Sequence, residues 1–495
     1  MADNRRISTG IPGLDRVTKG GFLSRHTYVL VGAPGTGKTI LSLQWLLEGR
    51  KMGDKGVFIS MVEEPAGLEQ NVSGFGWNLD QIEVVDFSVA ATSVVTDYDE
   101  YHVFPPSEVE YTPVWERICD IIEEKRPQRL VIDSITQLRQ FSTDAYQFRR
   151  HLFSLLRFLV RLNCTTLLSC EPSAITQDSA ISSAVDGIIY LEKEISPERL
   201  IDLRSIHIQK FRGSDFLAGT HPMRITSKGI EVFPHVIEPC KDVKLTGEMV
   251  MSDIPKLDEL LGGGLESGTV TIFTGPSGTG KSTLAVHFLA QAARAGKQAA
   301  LYAFEETKES VLRRSENFGM QLDPLLENGS LRIRYINPLQ LYPDELLAMI
   351  RDETAGGGRD VVALDSLRGY HMAMDQFGST VAHIQNLMHY LKSQRATILL
   401  VNETENITGD LRMTEAGISF LADNILLLRY VERRGKLARV IGCMKKRHGL
   451  SQSELREVTL SQTGFKIGEK LENLVGILSG VPTIREKNPG TKQRR

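Results

Sequence analysis

Residues 11–39 read IPGLDRVTKGGFLSRHTYVLVGAPGTGKT, and residues 254–282 read IPKLDELLGGGLESGTVTIFTGPSGTGKS. The two stretches align at a constant offset of 243 positions, which brings Ile11 onto Ile254, Pro12 onto Pro255, Asp15 onto Asp258, Gly21 onto Gly264 and Lys38 onto Lys281. A period of that length is far too long for a solenoid unit, so it marks a duplicated domain. The correspondence continues downstream. Glu63-Glu64 answers Glu305-Glu306, Phe75-Gly76 answers Phe318-Gly319, and Asp133-Ser134 answers Asp365-Ser366, each Asp closing an apolar run. Lys210-Phe211-Arg212 answers Lys445-Lys446-Arg447. The reading is therefore a first domain over 1–240, a second over 241–483, and a polar tail over 484–495 whose five basic residues and missing apolar periodicity predict disorder.

Composition agrees with two ordinary globular domains: 495 residues, 41% hydrophobic and 24% charged. The 58 Lys and Arg are nearly matched by 61 Asp and Glu, a formal net charge of -3, which excludes a strongly basic nucleic-acid coat. No apolar run reaches membrane-spanning length, and the opening MADNRRISTGIPGLD lacks the apolar core of an export signal. The five cysteines are scattered and form neither a metal spacing nor a disulfide framework; reduced core cysteines in a cytoplasmic protein are expected.

Each copy alternates β-rich apolar runs with helical spacing. Strands are expected at 28–31, 56–61, 130–133, 165–169 and 187–191, and again at 270–273, 299–304, 361–364, 397–401 and 425–430. Strands alternating with helices imply an α/β fold, each copy a mostly parallel sheet flanked by helices. Runs around the charged turns in 191–210 and 428–446 predict an antiparallel hairpin near each copy's end. The Tyr-, Pro- and acid-rich stretch 91–113 reads as a surface loop confined to the first copy.

Gly32-Ala-Pro-Gly35-Thr36-Gly37-Lys38-Thr39 and Gly275-Pro-Ser-Gly278-Thr279-Gly280-Lys281-Ser282-Thr283 both carry the pattern GxxxxGK[ST]. Glycines let successive backbone N–H groups turn inward around phosphate oxygens, and the following helix adds its positive end. Lys38 and Lys281 are expected to reach the β- and γ-phosphates of ATP, and the hydroxyls of Thr39 and Ser282 to bind Mg²⁺. Asp133 and Asp365, at strand ends about 90 residues downstream, suit the Mg²⁺ shell. The pairs Glu63-Glu64 and Glu305-Glu306 follow apolar runs, and the first Glu of each is placed to orient and deprotonate an attacking water or hydroxyl.

Together these motifs resemble the KaiC family, circadian-clock ATPases with two fused RecA-like P-loop domains. The resemblance runs from about residue 7 to 483 and includes Phe75-Gly76-Trp77, both Lys-x-Arg triplets and the run ITGDLRMTEAGISFLADNILLLRYVE. It implies hexameric double rings with ATP and Mg²⁺ between neighbouring subunits. Glu63 and Glu305 are then general bases beside Glu64 and Glu306, with Glu305 also near the metal. The resemblance further implies that Lys210 and Arg212, and Lys445 and Arg447, reach the nucleotide of the adjacent subunit, that the register-matched Arg204 and Arg439 share the nucleotide contact, and that Phe75 and Phe318 match the aromatic that lies by adenine. The family's second domain is also an autokinase and autophosphatase acting on an adjacent Ser-Thr pair. Here that pair reads Ser419-Phe420, so the serine is kept and the threonine lost, and Thr414 matches another hydroxyl of the segment. The first domain is where the family binds its small partner KaiB, so a KaiB-like protein is the expected partner there. Two other readings stay open: a RecA-type DNA-dependent motor, disfavoured by the charge and the acidic 97–110 stretch, and a nucleotide-gated scaffold.

Overall fold

The computed structural model describes residues 5–80, 82–87, 112–142, 144–177, 179–196, 201–237, 245–342, 344–354, 358–374, 377, 379–404, 418–433, 435–462, 464–471, 474–475 and 483–484. The chain divides into two compact units, Met1–Val236 and Ile237–Arg495. The strands of the first unit's main sheet are β1 (Thr27–Val31), β2 (Gly56–Ser60), β3 (Glu83–Asp86), β4 (Arg129–Asp133), β5 (Thr165–Cys170), β6 (Gly187–Ile195), β7 (Asp202–Phe211), β8 (Thr220–Thr226) and β9 (Gly229–Val232). They pair in the order β3-β2-β4-β5-β1-β6-β7-β8-β9. The second unit repeats this with β10 (Val270–Gly275), β11 (Ala299–Ala303), β12 (Leu331–Tyr335), β13 (Val361–Asp365), β14 (Thr397–Glu403), β15 (Asn424–Arg433), β16 (Lys436–Lys446), β17 (Leu455–Ser461) and β18 (Gly464–Lys470), paired β12-β11-β13-β14-β10-β15-β16-β17-β18. In both sheets the first six strands in that order run parallel and the last three are added antiparallel. These are two tandem RecA-like P-loop domains.

The parallel strands read as unbroken apolar runs because helices cover both faces. In β1, Val29 and Val31 enter one core while Tyr28 and Leu30 enter the other. In β10, Phe273 packs on one side and Val270 and Ile272 on the opposite one. The expected hairpins are present as β6–β7 and β15–β16, each extended by a second antiparallel pair that the sequence did not announce. The edge strands β3 and β12 were likewise unforeseen, being short and only partly buried. Of the expected loop 91–113, residues 91–111 lie outside the described residues, and the chain is already helical from Thr112 to Lys125. Ile484, expected in the disordered tail, pairs with Leu474, while 485–495 lie outside the described residues. Cys164 and Cys170 are buried and free.

One aspartate locks the central strands at the same place in each unit. The amide of Thr27 donates to the Asp186 carboxylate at 3.0 Å, and that of Val270 to Asp423 at 2.9 Å. The Asp186 and Asp423 amides return bonds to the carbonyls of Thr27 and Val270, and the amides of Arg212 and Arg447 donate to the aspartates' own carbonyls at 2.8 Å. Asp423 is 3% exposed and holds Lys392 at 2.9 Å and Arg447 at 3.0 Å. Removing it strands a buried N–H and takes the shared carboxylate from two part-exposed cations. Asp423→Ala should therefore cost the second unit about 2–3 kcal/mol, read as an earlier second transition in urea unfolding of the full chain, with a smaller loss for Asp423→Asn.

Candidate functional site

Each P-loop leaves the C-terminal end of a buried central strand and opens a long helix, Lys38–Lys51 or Lys281–Arg294. Gly37 and Gly280 sit at the helix N-caps with φ of 107° and 102°, a backbone shape that a side chain would strain. At Gly275, with φ of 150°, an added Cβ would lie 1.9 Å from the Leu428 carbonyl oxygen. Gly35 and Gly278 share the left-handed shape, and the hydroxyls of Thr36 and Thr279 donate to the carbonyls of Ala33 and Pro276, both at 2.9 Å, fastening the turn.

The lysines lie folded over their own loops. Lys38 Nζ donates to the carbonyls of Gly32 at 2.7 Å and Ala33 at 3.2 Å, and Lys281 Nζ donates to Pro276 at 2.7 Å. Burial lowers the pKa of both ammonium groups. The Asp133 charge leads those opposing the shift at Lys38, and the Glu403 charge leads at Lys281, ahead of Asp365 and Glu305. The helix-starting hydroxyls meet the strand-ending carboxylates. Thr39 Oγ1 donates to Asp133 at 2.7 Å, and Ser282 Oγ donates to Asp365 at 3.1 Å. Parallel pairing of β4 with β5 and of β5 with β1 brings Asp133 to the loop edge, as the pairing of β13 with β14 and of β14 with β10 brings Asp365.

The glutamate pairs split in role. Glu63 is half-buried, its carboxylate accepting from Asn71 at 3.0 Å, and its amide donates to Ser60 Oγ at 3.1 Å. Glu305 accepts from the Ser366 hydroxyl, next to Asp365. Glu64 is the exposed N-cap residue of the helix Pro65–Ser73. Glu306 is taken up by Arg314, with contacts of 2.7 and 3.1 Å, and Arg314 also donates to Thr283 at 3.0 Å.

In the second unit these groups line one cleft of about 370 Å³, which holds Gly278, Gly280, Lys281, Ser282, Thr283, Glu305, Glu306 and Asp365 together with Phe318 and Arg439. Arg439 Nε donates to the Gly278 carbonyl at 3.2 Å, and its guanidinium lies over the Tyr430 ring. Its first-unit counterpart, Arg204, pairs with Asp202 at 3.4 Å. Phe75 stacks on Trp77 at 4.9 Å and packs against the core. The residues that sequence reasoning missed are Arg314, Glu403, Ser366, Ser169 and Asn71. Ser169 donates to Asp133, a contact between strands that no local motif announces. Glu171 and Glu403 did carry a signal, since each follows an apolar strand in the same repeat register.

The Lys-x-Arg triplets are not brought to their own P-loops. Ile425 pairs with both Ile272 and Lys445, so Lys445 stands at the level of Ile272, three residues or roughly 10 Å of strand short of Gly275. Lys445 Nζ donates to the carbonyls of Ser419 at 3.1 Å and Ala422 at 2.7 Å, and Arg447 donates to Asp423 and to Phe420. Lys210 likewise holds the carbonyls of Ser182 and Val185, both at 2.6 Å, with Arg212 on Ser183. Ser419 is half-buried at this same far edge, whereas Phe420 is 53% exposed. Thr414 lies outside the described residues.

Burial pushes the Asp365 carboxyl up to about 6, partly offset by the Ser282 hydrogen bond. Its folded pKa thus exceeds its unfolded value, so the charged form costs stability above about pH 6, and the cost fades as pH falls toward 4. Asp365→Asn should raise the melting temperature of the nucleotide-free chain at pH 8, by up to about 3 kcal/mol of stability, and should have little effect near pH 4. Calorimetry at the two pH values checks the sign.

The profile of the KaiC ATPase family matches residues 7–237 and 250–472, one match per unit. The chain is 30% identical over 493 residues to the circadian clock oscillator protein KaiC of Picosynechococcus sp., covering 97% of this chain and 92% of that protein. It is 30% identical over 501 residues to the protein of the same name in Rippkaea orientalis, covering 98% and 93%. Against the circadian clock protein KaiC3 of Synechocystis sp. it is 28% identical over 486 residues, covering 96% and 94%. No described helix is long and apolar enough to cross a membrane.

Proposed function

The chain belongs to the KaiC family of ATPases, and on that premise we propose that it is an ATP-hydrolysing timing or signalling protein with two nucleotide sites and Ser419 as an autophosphorylation site. The observation that carries the hydrolysis reading is the duplicated contact of P-loop hydroxyl with strand-end carboxylate, Thr39–Asp133 and Ser282–Asp365, each beside a P-loop lysine. The hydroxyl and carboxylate oxygens fit Mg²⁺, a hard cation that prefers oxygen ligands. Among the described residues no cluster of three or more His, Cys, Asp or Glu would hold a metal unaided, so phosphate oxygens and water would complete the shell. When bound, Mg²⁺ neutralises charge on the β- and γ-phosphates.

The protein's own part is positioning. Inward N–H groups of the loop and the helix N-terminus hold the phosphates, and Lys38 or Lys281 leaves its loop carbonyl to meet them. Glu63, held by Asn71, and Glu305, held by Ser366, orient the attacking water and take its proton. The Lys-x-Arg groups, standing away from their own loops, would serve the nucleotide of an adjacent copy. This supports a homohexameric ring assembled or stabilised by ATP. Ser419 shares that edge, so its hydroxyl would accept phosphate at a neighbour's second site, with Glu305 as base; Phe420 cannot accept it. A KaiB-like partner on the first unit follows from the family alone. A DNA-dependent motor is not favoured, because a net charge of -3 leaves no overall basic coat.

In saturating Mg·ATP the chain should sediment as a hexamer and bind two nucleotides per chain, with Lys38→Ala or Lys281→Ala each removing one. A monomer, or one nucleotide in the unmutated chain, would contradict the reading. Phosphopeptide mass spectrometry after incubation with Mg·ATP should find phosphate on Ser419 in the unmutated chain and none there in Ser419→Ala. Glu305→Gln should cut that labelling by about 10²-fold or more. Ser419 unmodified in the unmutated chain would leave an ATPase without a kinase cycle.

A further inference from the structure

Glu171 and Glu403 take no part in the scheme above, yet they occupy one register in the two units. Glu403 ends β14 and pairs with Gly275, the first P-loop glycine, and the Thr404 amide donates to the Gly275 carbonyl at 3.1 Å. In the first unit the Gly32 amide donates to the Cys170 carbonyl at 3.1 Å, and Glu171 is the next residue, its amide held by Thr136. The flanking residues differ, Cys170 and Pro172 in one unit and Asn402 and Thr404 in the other, so the carboxylate is the feature the two share. Glu403 lines the same cleft as Lys281, Glu305 and Asp365.

We propose that Glu403, and Glu171 in the matching place, is a fixed counter-charge that sets how strongly each site prefers ATP over ADP. The inference rests on reading the cleft as a nucleotide site. Its physical basis is competition and repulsion. Glu403 lines the cleft with Lys281, the residue that must turn to the β- and γ-phosphates, and its strand pairs with the first glycine of the same loop, so its charge competes with the phosphates for the ammonium group. The γ-phosphate, which ADP lacks, would add further negative charge to the cleft that this carboxylate already lines. Arg439 and Arg314 line the cleft too and offset part of this field without removing the difference between the two nucleotides. The pairing of β14 with the P-loop strand fixes the backbone of Glu403 beside the loop. The consequence is a site that holds the triphosphate less tightly than its P-loop would allow and is biased toward the hydrolysed state.

The test uses the full-length Lys38→Ala chain, in which only the second site remains, titrated calorimetrically with ADP and with a non-hydrolysable β,γ-imido analogue of ATP. Glu403→Gln should tighten the analogue roughly tenfold while ADP changes by less than about threefold, the size expected for removing one charge at partly screened range. Glu403→Asp, which keeps the charge, should keep the parent's ratio of the two affinities. Equal tightening of both nucleotides, or weaker binding of the analogue, would overturn the assignment, because a merely structural glutamate moves both alike. A parent chain that binds neither nucleotide would sink the nucleotide reading itself along with the inference.

Discussion

The contact on which each unit depends is the hydrogen bond from the first turn of the P-loop helix to the end of a strand two places away in the sheet. Thr39 meets Asp133, and Ser282 meets Asp365. Buried or half-buried polar groups that found no partner here would each carry a desolvation cost. Meeting each other, they hold helix, loop and sheet in one arrangement and converge oxygen atoms at one point. The cost of that convergence is visible in Asp365, where burial disfavours the charged form. A carboxylate that burial makes costly to keep charged is one that a nearby cation would relieve, so the raised pKa and the proposed Mg²⁺ chemistry have the same origin.

The two ends of the sheet divide the labour. At the C-terminal edge of the parallel strands stand the loops, the glutamates and, in the second unit, Arg439. At the other edge, Asp186 and Asp423 fasten three strands together, and Lys210 and Lys445 cap the carbonyls of the preceding segment. These lysines hold carbonyl oxygens, and Arg447 pairs with a carboxylate that is also committed to the Val270 amide. The cations at this edge therefore already have a structural occupation. A second occupation on an adjacent copy would have to use their remaining donors, which lysine and arginine have in number.

The duplicated units are not copies in detail. Glu63 leans on Asn71 of the following helix, whereas Glu305 is held by Ser366, beside the strand-ending aspartate. Glu306 is engaged by Arg314 while Glu64 stays exposed at a helix start. Phe318 and Phe75 both pack against their cores, Phe318 also lining its cleft with Lys281 and Phe75 stacking on Trp77. Such differences give the first glutamate of each pair a different partner in the two units.

Much of this was legible in the residues alone. The repeat offset, the glycine spacing before Lys38 and Lys281, and the aspartates closing apolar runs identify the α/β class and the phosphate-binding loops. Those features depend on local backbone chemistry, which residues next to one another in the chain decide. What the tertiary structure alone decided is which distant groups meet. Edge strand Glu83–Asp86 has no alternating apolar pattern, and only pairing with a neighbour makes it a strand, whereas Leu331–Tyr335 alternates Leu, Ile and Tyr with two arginines, a short signal that the sequence reading passed over. Arg314 reaches Glu306, Ser366 reaches Glu305, and Ser169 reaches Asp133 through contacts whose partners lie from 8 to 61 positions apart. The placement of Lys445 and Ser419 away from their own P-loop follows from the direction of β15 and β16. Sheet register sets that direction, and no short stretch of sequence encodes it.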